Sequence, residues 1–79
     1  MENDQKNQSI EHARYQMSLD LTIPSNIVSD STYLALKDNY LFELIADWVE
    51  EKNDYNKSEM KKEIINYTEE ILRTKKMSK

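Results

Sequence analysis

Glycine is missing from all 79 residues, and that absence removes the Gly-rich phosphate loops, the dinucleotide-binding fingerprint and the EF-hand turn in one step. Cysteine is missing too, which excludes disulfide staples and thiolate metal sites and fits a reducing compartment. There is one proline, Pro24, and one histidine, His12. No apolar run approaches the roughly 20 residues of a membrane span, and no charged-then-apolar stretch opens the chain. The expectation is a cytoplasmic protein without a membrane partner.

Apolar residues make up 38% against 33% charged, which is lean for a chain near the lower size limit for folding alone. Association with another chain would repair the deficit. The net charge of −4 is unevenly placed: residues 1–39 carry −3, residues 40–59 carry −4, residues 60–72 carry −1, and residues 73–79 carry +4 from Arg73, Lys75, Lys76 and Lys79. Bulk charge therefore argues against coating nucleic acid, while a local basic contact remains open. The same cations suit the negative end of a helix dipole.

Against these absences stands one stretch, Tyr15 to Ile23, in which Tyr15, Met17, Leu19, Leu21 and Ile23 alternate with four polar residues. The period of two reads as a strand with one buried face. A lone strand cannot satisfy its own backbone groups, and nothing else in the chain is suited to pair with it. The expected partner is the same strand of a second copy, giving a homodimer through residues 15–23. Residues 1–14 lack periodicity and read as a flexible tail. Within it, His12 reads as solvated, since no second histidine supports a ligand or proton-transfer role.

Pro24 ends the strand and suits the first turn of a helix over about 25–37, capped by Ser25 or Asn26 and carrying Ile27, Val28, Ser31 and Leu34. Its Ser29-Asp30-Ser31-Thr32 centre is poor in helix formers and needs tertiary support. Continuing that helix to Trp48 would place Lys37 and Asp38 inside the apolar stripe, so a break at Asp38-Asn39 is expected. A second helix over about 40–52 then buries Leu41, Leu44, Ile45, Trp48 and Val49. A third, over about 58–76 with Ser58 as cap, carries the stripe Met60, Ile64, Tyr67, Ile71 and Leu72. Residues 77–79 form a basic tail. The fold class expected is mostly α: one N-terminal strand paired across a homodimer, two short helices and a longer C-terminal helix.

Two surfaces are candidates for partner binding. Glu43, Asp47 and Glu50 form a row on the outer face of the second helix; with no histidine or third ligand beside them they read as a solvated face, or as an acidic row for a basic partner if an apolar rim adjoins it. The stripe Met60, Ile64, Tyr67 and Ile71 either packs on the protein's own core or docks another protein. No nucleophile–base pair, ligand cluster or phosphate cradle is visible, so no enzyme, cofactor or metal is expected.

The order of strand, proline, helix, Asn turn and helix over Gln16 to Lys52 resembles the ribbon-helix-helix dimers typified by the Met and Arc repressors. In that family paired strands enter the DNA major groove with their polar sides on the bases. The resemblance implies that Ser18, Asp20 and Thr22 read DNA, flanked by Arg14 and Gln16, while Leu19, Leu21 and Ile23 seal the core. Asp20 departs from the family's usual Arg, Lys, Asn or Gln and would have to accept from a cytosine amino group. The resemblance thus implies a small dimeric transcriptional regulator or antitoxin, its last helix binding a toxin or extending the dimer. The residues alone also suggest an alternative: an acidic helical protein-binding inhibitor or adaptor of phage or plasmid type, acting on a host protein.

Overall fold

The computed structural model describes the backbone of residues 2–77 and the side chains of residues 5–74. Four helices follow one another: α1 (Glu2–Ser18), α2 (Ser25–Ala35), α3 (Asn39–Glu50) and α4 (Asp54–Met77). Among the described residues there is no strand, so the expected ribbon over 15–23 and its pairing with a second copy are corrected. Residues 15–18 end a helix and residues 19–23 form a turn.

The reason lies in a second periodicity running through the same segment. Ile10, Ala13 and Met17 are spaced three and four apart, fall on one face of α1, and are all buried. Of the five alternating apolar residues only Met17 and Ile23 are buried, while Tyr15, Leu19 and Leu21 are 61%, 60% and 95% exposed. The segment expected as a tail is helical from Glu2 because this seam anchors it against α2 and α3. A helix so poor in apolar residues would be marginal in isolation.

Pro24 stands at the N-cap of α2, and its carbonyl accepts from the backbone N–H groups of Ile27 and Val28 at 2.9 and 3.1 Å. Ser25 and Asn26 are the first helical residues and supply no side-chain cap. Helix α2 buries Ile27, Val28, Ser31, Thr32, Leu34 and Ala35, a wider face than a helix covered on one side would need. It is covered by α1, α3 and α4, whereas α1 and α4 do not pack on each other. Small side chains at 31, 32 and 35 suit that central position. The Thr32 hydroxyl is satisfied by the carbonyls of Val28 at 2.7 Å and Ser29 at 3.1 Å.

The chain breaks between α2 and α3 at Asp38, whose backbone is extended and whose Oδ1 accepts from the Leu41 N–H at 3.1 Å. No left-handed residue is needed, and Asn39 is already helical. Helix α4 starts one turn before Ser58, because the Asn53 side chain accepts from the Asn56 N–H at 3.0 Å and does the capping. It runs antiparallel to α3: Lys57 Nζ donates to the Trp48 carbonyl at 2.6 Å near one end, and Tyr67 OH to Asp38 Oδ2 at 2.9 Å near the other. The side chains of Lys75 and Lys76 and the basic residue Lys79 lie outside the described residues.

The molecule measures 39 × 33 × 19 Å, a slab about two helices thick. No described helix is long and apolar enough to cross a membrane.

Candidate functional site

The residues that the ribbon reading placed on DNA are scattered by the helical fold. Arg14 is exposed on α1, its Nε 3.4 Å from Thr32 Oγ1 and its guanidinium 3.9 Å from Glu11. Gln16 is half-buried on another side of the helix, and Ser18 donates to the Tyr15 carbonyl at 2.7 Å in the last turn. Only Asp20 and Thr22 come together. Asp20 Oδ1 accepts from the Thr22 N–H at 3.0 Å and from its hydroxyl at 2.6 Å, closing an Asx-type turn.

Lys61 of α4 then grips both residues, donating to Asp20 Oδ2 at 3.0 Å and to Thr22 Oγ1 at 2.6 Å. The Thr22 hydroxyl, partly opposed by desolvation and helped by the Thr22 amide and Lys61, holds the Asp20 carboxyl below its ordinary range. Because Asp20 and Thr22 turn toward α4, Leu21 between them is turned out to solvent. The alternation read in the sequence does not make a buried and an exposed face here: Ile23 is buried, while Leu21, expected beside it in the core, leaves the protein and the polar Asp20 and Thr22 hold the turn to α4.

The α4 stripe is drawn inward. Ile64 is buried, Met60, Tyr67 and Ile71 are half-buried against the core, and Thr68, absent from the expected stripe, is fully buried beside them. At its edge Tyr40 and Tyr67 meet edge to face with ring centroids 5.0 Å apart. Tyr40 donates to Glu63 at 3.0 Å and Tyr67 to Asp38. Each carboxylate raises the pKa of the phenol bonded to it.

Glu43, Asp47 and Glu50 remain on the exposed side of α3, as the spacing implied. Among the described residues none of the three carboxylates has an ion pair or a side-chain hydrogen bond, and α3 contains no basic residue. Beside them the small side chains of Ser9, Ala13 and Ala46 leave a furrow between α1 and α3. Its deeper part, about 100 Å³, is lined by Ile10, Phe42, Ile45 and Val49, with His12 and Glu50 among its polar residues. A wider part of about 440 Å³ shares Ser9 and Phe42 and runs on to Lys6, Asn39 and Glu43. Lys6 is tied there to Asn39 Oδ1 at 3.0 Å and lies 5.0 Å from the centre of the Phe42 ring. The furrow escapes a reading of single helices, because α1 was not expected to exist.

No group of three or more His, Cys, Asp or Glu side chains able to hold a metal converges among the described residues. No family model matches the chain, and comparison with curated proteins and with solved structures finds no match either.

Proposed function

We infer that the chain is a helical protein-binding module that takes a basic, amphipathic segment of a partner into the furrow between α1 and α3. The observation that carries this reading is the pairing of an unneutralised carboxylate row, Glu43, Asp47 and Glu50, with an adjoining apolar floor of Phe42, Ala46 and Val49. An acidic row alone is a solvated face. With a recess at its foot it has the two parts of a docking site, apolar contact for affinity and charge for steering and register. An occupant of that chemistry carries leucine-sized side chains on one face and lysine or arginine on the next.

DNA is a poorer fit to the same elements. The ribbon that would read bases is not formed, and the exposed side of α3 would bring three carboxylates toward phosphates.

The test uses a synthetic helical peptide of leucine and lysine in amphipathic order, and a scrambled peptide of equal composition, titrated calorimetrically into the full chain. Rim ion pairs contribute about 0.2–1 kcal/mol each, so reversing all three carboxylates (Glu43→Lys, Asp47→Lys, Glu50→Lys) weakens the ordered peptide by roughly tenfold. Ala46→Trp, which fills the furrow, abolishes binding with the charges intact. Equal binding of both peptides, or no response to either variant, would refute the reading.

A further inference from the structure

A second surface, distinct from the furrow, is built at the corner where α1 turns into α2. Leu21 stands 95% exposed at its tip, with Tyr15 exposed on the last turn of α1 and Leu19 exposed just after it. Large apolar side chains scattered singly need no explanation, but Leu21 adjoins a hollow whose wall also holds Ile23, Pro24 and Val28. The turn that presents Leu21 is held by five hydrogen-bonding contacts on its inner side: the two from Thr22 to Asp20, the two from Lys61, and Ile23 N–H to the Asp20 carbonyl at 3.1 Å. A leucine displayed on a clamped turn loses little further conformational freedom on docking.

Beside Leu21 lies a hollow of about 500 Å³ whose wall includes Arg14, Ser18, Ile23, Pro24 and Val28. Knob and hollow are neighbours on one surface, the arrangement that a two-fold axis makes complementary to itself. We propose that this corner is a self-association surface, in which Leu21 of each copy seats in the hollow beside Leu21 of the other.

Charge favours a second copy as the occupant. The chain carries −4, yet the charged residues lining the hollow are Arg14 and Asp20, which sum to zero, and Asp20 is already paired with Lys61. Two acidic molecules meet here without like charges facing each other across the hollow. Area sets the strength: Leu21 with the apolar wall of the hollow offers well under the roughly 800 Å² per partner of a stable interface, so the contact is a weak one. Part of the remainder falls to the small polar residues around the hollow, Ser18, Ser25 and Ser29. The expected product is a reversible dimer with a dissociation constant of tens to hundreds of micromolar.

Sedimentation equilibrium of the full chain, beside Leu21→Asp and a control Tyr55→Asp, tests this. Leu21 and Tyr55 are both exposed, so neither change disturbs the core, and far-ultraviolet circular dichroism checks that each variant keeps its helices. The wild type and Tyr55→Asp are expected to dimerise alike, with Leu21→Asp weaker by about tenfold or more. A wild type that stays monomeric at hundreds of micromolar overturns the proposal, as does a dimer indifferent to Leu21→Asp or an open-ended polymer. Flotation with neutral phosphatidylcholine vesicles closes the remaining route. A monomer that floats with them through Leu21 would assign the patch to lipid and overturn the second copy.

Discussion

Replacing Lys61 by methionine removes the cation that ties the α1–α2 turn to α4 while keeping the length of the aliphatic stem. Two bonds are lost, to Asp20 Oδ2 at 3.0 Å and to Thr22 Oγ1 at 2.6 Å, and the ion pair is largely shielded, with side chains 21% and 27% exposed. Charge-assisted hydrogen bonds contribute about 1.5–3 kcal/mol each when buried, and the residual exposure with Asp20's retained bonds to Thr22 reduces the net loss to about 1–2 kcal/mol. For a domain of this size that is a fall in Tm of roughly 4–16 °C. The loss depends on pH in a stated direction. Since the folded Asp20 carboxyl lies below its unfolded value of 3.8, its share of stability is fully present above that value and is lost as pH falls through the lower folded one. The gap in Tm between wild type and Lys61→Met should therefore be constant near neutrality and shrink in acid. The Thr22 hydroxyl is the largest single influence on Asp20, with Lys61 acting the same way, so Thr22→Val and Lys61→Met should each raise its pKa, as read by carboxyl NMR titration. Equal Tm values at neutral pH, with unchanged amide exchange at residues 20–23, would refute the clamp.

Thr68 is fully buried and its hydroxyl has no hydrogen-bond partner among the described residues, so Thr68→Val should stabilise the protein by about 1 kcal/mol, seen as a higher urea midpoint at unchanged slope. Asp38→Ala removes both the cap on Leu41 and the acceptor of Tyr67, for a loss of about 1–2 kcal/mol in the same assay. The phenols of Tyr40 and Tyr67 have folded pKa values raised above 10.0, so their contribution is present below that value and lost as pH rises through the folded ones. Phenolate absorbance should accordingly retain a late-titrating fraction that Asp38→Ala and Glu63→Gln reduce.

Local signals in the sequence were readable where local chemistry decides the structure. Pro24 cannot donate and begins a helix, and Asp38 has the oxygen that a helix N-terminus needs, so the starts of α2 and α3 follow from single residues, while their ends fall at Ala35 and Glu50, short of the expected 37 and 52. The apolar spacing of α4 is legible for the same reason, although Thr68 sits in its seam as a polar residue that no hydrophobic pattern would select. The strand is the instructive failure. Nine residues of alternation matched one template without error, but Ile10, Ala13 and Met17 matched another across the boundary of that window, and tertiary packing chose between them. The carboxylate row was legible as a row. Its apolar neighbour was not, because a furrow between α1 and α3 belongs to neither helix alone.

Both surfaces depend on α1, the helix with the least intrinsic reason to form. It rests on α2 and α3 through Ile10, Ala13 and Met17, its backbone does not lie against α4 among the described residues, and Asp20 and Thr22 beyond its end are hydrogen-bonded to Lys61 of that helix. The furrow exists only while α1 lies against α3, and Leu21 is presented only while the turn after α1 is held. Docking of α1 and formation of the furrow and of the turn that displays Leu21 are thus one event. A ligand in the furrow, which touches α1 and α3 together, stabilises that docked state in proportion to its occupancy, and loosening the Lys61 clamp raises the concentration needed at both surfaces. The turn at residues 20–22 is where the two requirements meet: Asp20 and Thr22 hold the end of α1 to α4 through Lys61, and the same turn displays Leu21 to solvent.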